Sequence, residues 1–166
     1  KRYDMNISIE DLKKSHNTIK KWEYKLGKIE KGYNNRTLYV NVGTNEIKER
    51  PVSQEMKDKF TGGKGFGLKL LWEATDARTP WDDPKNEIVI SGGPICGITQ
   101  YAGSGKSLLV SISPQTDSIM DSNVGGHFGP FSKFAGFDAI ELQGKAKEDV
   151  IIYIDGEKGY VEIYEA

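Results

Sequence analysis

The hydrophobic pattern changes near residue 31. Between Ile9 and Leu26 the apolar side chains recur every three or four residues with lysines between them, which predicts one amphipathic helix. Ser8 is placed to cap this helix, with Asp11 at the capping-box position. We expect the face formed by Ile9, Leu12, Ile19 and Trp22 to be buried. The pattern fits either a helix that packs on its own domain or an arm that docks on another subunit.

From Tyr33 onward the period is two, which is typical of strands. Strands are predicted at 37–42, 46–50, 87–91, 107–113, 138–143, 150–155 and 160–164. Ser53 is expected to cap a short helix with Met56 and Phe60 on one face. A second helix is predicted at 68–74, with Leu68, Leu71 and Trp72 directed inward, and a third at 126–135. Strands in meanders around short helices predict an α+β fold rather than a doubly wound sheet.

Glycine is concentrated in four clusters: 62–67, 92–93, 103–105 and 125–126. The last follows a segment, 121–124, that is predicted to be a polar turn. Because glycine has no Cβ, its backbone can approach a ligand closely, and free N–H groups at a helix start favour an anion. These clusters predict a surface that holds a large phosphate-bearing cofactor mostly by backbone. We therefore expect clusters 62–67, 103–105 and 125–126 to converge on one face.

Composition narrows the class of protein. The chain has 166 residues, a net charge of −1, two histidines and one cysteine, Cys96. This balance argues against bulk nucleic-acid binding, and no apolar run is long enough for a membrane span. The N-terminus lacks the apolar region of a signal peptide. We expect a cytoplasmic protein without a disulfide, in which Cys96 is a small buried hydrophobe rather than a nucleophile.

Two nucleotide-binding motifs fail on spacing and context. Gly105-Lys106-Ser107 ends like a P-loop, but Gln100 stands where the first glycine is required and a strand follows instead of a helix. Gly63-Lys64-Gly65 lacks the third glycine of a dinucleotide fingerprint, because Leu68 is there. His16 and His127 have no metal-ligand spacing. No self-contained catalytic group is predicted on this chain.

Residues 32–166 resemble the N-terminal domain of the tungsten-dependent aldehyde:ferredoxin oxidoreductases. The motifs that carry this resemblance, in order, are Gly32-Tyr33, Leu38–Val42, Gly43–Lys48, Phe60–Gly65, Gly92-Gly93-Pro94, Gly103–Lys106, Asp121–Gly129, Lys133–Ala139, Gly144-Lys145-Ala146, Val150–Ile154 and Val161-Glu162-Ile163. The resemblance implies an α+β body that forms the base for a tungsten or molybdenum bis-pyranopterin. In that family the metal is held by cofactor sulfurs rather than by side chains.

The resemblance also implies the residues that bind the cofactor: Lys64, Gly105, Lys106, Ser122, Asn123, Gly125, Gly126 and His127. Asn123 is expected to offer its backbone carbonyl to a magnesium ion that bridges the two pterin phosphates. Three positions depart from the family pattern, since Lys106 stands where arginine is usual, His127 where tyrosine is common and Cys96 where threonine is common. Lysine keeps the positive charge at 106 but loses the planar fork of arginine.

The resemblance implies a partner as well. The family's chain continues with the cysteines of a 4Fe–4S cluster, so we expect that cluster on a C-terminal-type polypeptide, either a natural partner or the rest of a longer chain. The expected division is a helical extension at 1–31 and a pterin-binding domain at 32–166. The implied reaction interconverts aldehydes and carboxylates with ferredoxin as electron carrier, and this chain alone is expected to be inactive. Alternatives are a non-catalytic binding or assembly protein, or a subunit of an aromatic thioester reductase.

Overall fold

The computed structural model describes residues 8–98 and 100–166, so residues 1–7 of the expected extension lie outside it. Its elements in chain order are α1 (Ile9–Lys14), β1 (Thr18–Glu23), β2 (Arg36–Asn41), β3 (Glu46–Pro51), α2 (Gln54–Phe60), α3 (Lys64–Ala74), β4 (Glu87–Ser91), β5 (Ser107–Ile112), β6 (Ile119–Val124), α4 (Phe128–Phe134), β7 (Ala139–Gln143), β8 (Val150–Asp155) and β9 (Tyr160–Glu165). No helix among the described residues has the length and apolar character needed to cross a membrane.

Two sheets form the body of the molecule. The larger has the strand order β3-β2-β7-β4-β5-β6, and the smaller has the order β1-β9-β8. Every neighbouring pair is antiparallel except β2 and β7, which run parallel. Mostly antiparallel sheets with a few short helices confirm the predicted α+β class.

The large sheet has apolar side chains on both faces because both faces are covered. On one side Leu38, Val40 and Ile140 pack with Val161 and Ile163 of the small sheet. On the other side Val89 and Ala139 pack with Met56, Phe66 and Leu70 of helices α2 and α3. The predicted cap of α2 is confirmed, since the Ser53 hydroxyl accepts a hydrogen bond from the Met56 N–H.

The single helix predicted between Ile9 and Leu26 is wrong. Helix α1 ends at Lys14, and Thr18–Glu23 is a strand that pairs with β9. A register shift between Thr18 and Lys20 interrupts the two-residue alternation of β1, which made its apolar spacing look helical. Of the face expected to be buried, only Trp22 packs against the core, while Ile9, Leu12 and Ile19 are exposed.

Three further predictions are corrected. Trp72 is 76% exposed and does not point inward, because α3 turns Phe66, Leu70 and Leu71 toward the sheet. Segment 121–124 is not a polar turn but most of strand β6, which pairs with β5. The helix predicted at 68–74 begins four residues earlier, because α3 starts at Lys64 inside glycine cluster 62–67.

Candidate functional site at the glycine-rich end of the sheet

Four glycine-bearing segments meet at one end of the large sheet. Strand β4 ends there at Ser91, β5 begins there at Ser107, and β6 ends there at Val124. Antiparallel order places these termini side by side. The segments, which we call the glycine-rich face, are Gly62–Lys64, Gly92–Gly93, Gly103–Lys106 and Gly125–Gly126. The expected convergence of the glycine clusters is therefore observed.

The start of α3 is fastened to the end of β4. The Gly63 N–H donates to the Gly92 carbonyl at 2.9 Å, and the Ser91 hydroxyl donates to the Gly63 carbonyl at 2.5 Å. A Cβ on Gly62 would lie 3.0 Å from the Gly92 oxygen. The two segments approach so closely that Gly62, at φ 154°, can only be glycine.

Segments 103–106 and 125–126 also touch. In the β5–β6 ladder Ser107 is opposite Val124, so the loop before β5 runs beside the loop after β6. A Cβ on Gly105 would lie only 2.6 Å from the Gly126 oxygen. Packing between the two loops thus explains why residue 105 is glycine, without any role in binding a cofactor.

Other glycines of the face are open. A Cβ added to Gly93, Gly103 or Gly126 would have no atom within 4 Å, and one added to Gly125 would meet only the Lys106 ammonium, at 3.7 Å. Gly67 provides the contrast, since its Cβ would lie 2.5 Å from Val110. Gly67 serves packing, whereas the open glycines leave a cradle of accessible backbone. Such a cradle fits a ligand that is held by backbone groups.

The two lysines of the face differ in their surroundings. Lys64 lies 2.7 Å from the carboxylate of Asp121 on β6. Lys106 is exposed and lies over Gly125, and in the part of the chain that the structure describes no carboxylate forms an ion pair with it. Lys106 is therefore the cation that is available to an incoming anion. Sequence reasoning missed Asp121, because 121–124 was assigned to a turn rather than to a strand facing α3.

Ser122 and Asn123 cannot present their side chains to one ligand on one face. They are consecutive in β6, opposite Leu109 and Leu108, so their side chains point to opposite sides of the sheet. Strand β6 is the outermost strand of its sheet, and the outer side of an edge strand leaves alternate backbone groups without a strand partner. Backbone contact is therefore the simplest way for this strand to bind a ligand.

Helix α4 borders the face and exposes aromatic side chains. His127 is the residue before α4 and makes no side-chain capping bond, and its ring lies 5.9 Å from that of Phe131. Phe131 and Tyr101 are each 66% exposed, and Ile95, Phe128 and Phe134 are exposed as well. Together these side chains, which we call the aromatic rim, form an apolar surface next to the glycine-rich face.

Cys96 lies beneath the face and is buried, as expected. Its sulfur is 3.8 Å from the Lys106 carbonyl, and Cβ atoms on Gly92 or Gly129 would collide with it. Burial raises the pKa of the Cys96 thiol, although the Lys133 ammonium opposes the shift. A buried thiol with a raised pKa is a poor nucleophile, so Cys96 packs the loops together.

The residues that the structure describes contain no group of three or more His, Cys, Asp and Glu side chains that could hold a metal ion. The site instead combines open backbone, a lysine that pairs with no carboxylate of the described residues, and a bordering apolar surface. This combination fits an organic anion such as a phosphorylated cofactor. A metal would enter such a site only with ligands of the cofactor's own.

Several known proteins are similar to this chain over most of its length. The family model described as aldehyde ferredoxin oxidoreductase, N-terminal domain, matches residues 37–166. The tungsten-containing aldehyde ferredoxin oxidoreductase of Pyrococcus horikoshii is 38% identical over 135 residues, covering 81% of this chain and 22% of that protein. The WOR-like subunit of the aliphatic sulfonate oxidoreductase of Pyrococcus furiosus is 34% identical over 137 residues, covering 81% of this chain and 21% of that protein.

A solved structure is also similar. It is the active site complex BamBC of benzoyl coenzyme A reductase in complex with 1,5 dienoyl-CoA. The TM-score is 0.76 at 30% sequence identity, covering 81% of this chain and 20% of that one. The chain thus spans only about a fifth of the length of the relatives it matches.

Proposed function

The chain belongs to the aldehyde ferredoxin oxidoreductase family, through its N-terminal domain, and we propose that it is the cofactor-binding base of a tungsten or molybdenum bis-pyranopterin oxidoreductase in the cytoplasm. The proposed reaction interconverts an aldehyde and a carboxylate with ferredoxin as electron carrier. When bound, the cofactor supplies the redox-active metal and its two-electron chemistry. The observation that carries the proposal is the open backbone of Gly93, Gly103, Gly125 and Gly126 beside Lys106, with which no carboxylate of residues 8–98 and 100–166 forms an ion pair.

Lys106 is proposed to hold a pterin phosphate as a point charge. Its ammonium lies 3.7 Å from the place that a Cβ on Gly125 would take, next to the backbone of segment 125–126. A phosphate at this place would accept hydrogen bonds from the backbone and from the ammonium together. His127, next along the chain, is proposed to donate a ring N–H to the same anion.

Asn123 is proposed to offer its backbone carbonyl to a magnesium ion between the two phosphates. Magnesium prefers oxygen ligands and retains several waters, so one protein carbonyl on an edge strand is a sufficient protein contribution. Ser122, whose side chain lies on the other face of β6, would contribute through its backbone. The Lys64 ammonium lies 2.7 Å from the Asp121 carboxylate. Lys64 would therefore have to give up this ion pair in order to bind phosphate.

The rest of the proposed enzyme lies on another polypeptide or on further sequence. That part would carry the 4Fe–4S cluster, the substrate pocket and proton transfer, and its proposed contact is the aromatic rim of α4 and its neighbouring loop. Apolar side chains this exposed are typical of interaction surfaces. We propose that the chain alone is inactive.

A second candidate follows from the benzoyl coenzyme A reductase complex. Its TM-score of 0.76 favours a role as the equivalent base in an aromatic thioester reductase. The two candidates predict the same cofactor and differ in substrate. Assays of the purified complex with an aldehyde and with benzoyl coenzyme A under reducing conditions would separate them.

The test of the shared proposal is the tungsten, molybdenum and pterin content of the complex purified from its native host. Wild type is expected to contain the metal and pterin in stoichiometric amounts, and Lys106→Glu is expected to lose both because it places negative charge against phosphate. The matched control is Lys147→Glu, which makes the same charge change at an exposed residue. Lys147 follows the C-terminal end of β7, which is the end away from the glycine-rich face. Equal cofactor content in all three proteins would refute the site assignment.

A further inference from the structure

One lysine of the N-terminal segment is inserted between tyrosines of the small sheet. The Lys13 ammonium on α1 donates to the Tyr160 hydroxyl at 2.8 Å and lies 2.8 Å from a carboxylate oxygen of Glu162. Its nitrogen is 4.8 Å from the ring centres of both Tyr153 and Tyr160, and 5.9 Å from that of Tyr164. We call Tyr153, Tyr160, Tyr164 and Glu162 the tyrosine cage.

The cage residues lie on two paired strands of the small sheet, Tyr153 on β8 and the other three on β9. Tyr160, Glu162 and Tyr164 are buried residues of β9, and the Tyr164 hydroxyl donates to the Glu162 carboxylate. Helix α1, in contrast, has no buried residue. The helix thus meets the sheet mainly through one long side chain, Lys13, with an exposed pair between Glu10 and Lys158 at 3.6 Å beside it.

The chemistry of the cage matches an ammonium group. Ring faces attract a cation within about 6 Å, the carboxylate supplies the counter-charge, and the tyrosine hydroxyl accepts one of the three ammonium hydrogens. Burial alone would lower the pKa of the Lys13 ammonium, but the hydrogen bonds to Glu162 and Tyr160 outweigh it and raise the pKa. Removal of Lys13 would leave the buried Glu162 carboxylate without its cation.

The cage and its occupant belong to different parts of the chain. All four cage residues fall within the family-matched range 37–166, whereas Lys13 precedes it. We propose that the tyrosine cage is a binding site for a primary alkylammonium group, that Lys13 of the same chain occupies it, and that this contact holds α1 on the sheet as a releasable latch. Lys21 also lies 4.9 Å from the ring centre of Tyr160, but its ammonium pairs with the Glu23 carboxylate at 2.7 Å.

The test removes the Lys13 side chain from the cage and supplies a free alkylammonium ion in its place. In the full chain, Lys13→Ala should bind n-butylammonium, which has the four-carbon stem of lysine, at least ten-fold more tightly than wild type does by titration calorimetry. The matched control is Lys14→Ala, because Lys14 is on the same helix, is exposed and pairs with the exposed Asp11 at 3.5 Å. Butylammonium should raise the melting temperature of Lys13→Ala and leave that of Lys14→Ala unchanged at equal ionic strength.

Two further measurements distinguish the alternatives. Tetramethylammonium cannot donate hydrogen bonds, so it should restore less than half of the shift that butylammonium gives; equal restoration would overturn a site for primary ammonium. Hydrogen exchange should show loss of protection in α1 but not in β8 and β9 of Lys13→Ala. If Lys13→Ala did not bind butylammonium, the cage would not be an ammonium site. If wild type were a dimer that Lys13→Ala dissociates, Lys13 would occupy the cage of a second chain and not its own.

Discussion

The ammonium of Lys133 on α4 lies 2.8 Å from the carboxylate of Asp138, and both side chains are buried. Asp138 also accepts the backbone N–H groups of Asn34 and Asn35, at 2.9 and 2.8 Å. Lys133 donates as well to the Gly32 carbonyl at 2.7 Å. This pair therefore joins the helix that carries the aromatic rim to the entry of the central strands.

Breaking that pair from one side should be costly. Lys133→Met leaves the Asp138 carboxylate buried without its cation, and we expect the free energy of unfolding to fall by about 3–5 kcal/mol. The control is Lys59→Met, which removes an exposed pair with Glu55 and should cost at most about 0.5 kcal/mol. Urea unfolding of both variants measures the difference, and similar losses would contradict the assigned role.

Glu87 should make stability depend on pH. Both its carboxylate oxygens are buried without a hydrogen-bond partner, and burial, with the nearby charge of Glu141, raises its pKa to about 8. Because the folded pKa lies above the usual value of 4.5, the stabilising contribution is complete below about pH 4.5 and is lost as pH rises toward 8. Glu87→Gln should therefore be more stable than wild type at pH 9, by about 2–4 kcal/mol.

The measurement for Glu87 is urea unfolding at pH 5, 7 and 9. The control, Glu148→Gln, changes an exposed carboxyl and should follow the wild-type profile. A Glu87→Gln profile parallel to wild type would show that the buried carboxyl does not titrate in this range.

Two glycine substitutions should separate stability from cofactor binding. Gly67→Ala places a Cβ 2.5 Å from Val110, so it should lower the melting temperature, with a cost of about 1–3 kcal/mol. Gly93→Ala meets no atom, so it should leave the melting temperature unchanged but reduce the pterin content of the complex. Loss of stability in Gly93→Ala would remove that glycine from the proposed cradle.

Backbone and side-chain roles should separate at β6 and its loop. Asn123→Ala keeps the carbonyl and should retain most of the bound cofactor, whereas Gly125→Val fills the space below Lys106 and should abolish binding. Lys106→Arg should be tolerated or bind more tightly, because a guanidinium forms two charge-assisted bonds to phosphate. Metal and pterin analysis decides, and a Gly125→Val complex with full cofactor would contradict the proposal.

Sequence periodicity was sufficient where alternation was regular. Seven strands lie within one residue of their predicted bounds: β2, β3, β4, β5, β7, β8 and β9. It failed at β1, where a register shift mimicked helical spacing, and at β6, whose polar residues 121–123 are exposed on an edge. Trp72 was misplaced because hydrophobicity alone does not say which face of α3 meets the sheet.

The glycine clusters could be predicted as a group because they share one composition. Their separate roles could not, since only contacts distinguish the packed Gly67 from the open Gly93. The buried partners Lys133 and Asp138 were equally hidden, because charged residues are ordinarily assigned to the surface. The pairing of Lys64 with Asp121 required knowing that β6 lies across from the start of α3.

The position of β7 sets the order in which this chain can fold. Residues 139–143 form a central strand, flanked by β2 from residues 36–41 and by β4 from residues 87–91. Strand β1 likewise pairs with β9, which lies almost 150 residues later in the chain. Such distant pairings slow folding, because the entropy cost of closing a long loop comes before the stabilising contacts between the strands can form. During synthesis the first half of the chain would therefore leave the ribosome with its sheet unfinished, and the last 30 residues would complete both sheets together.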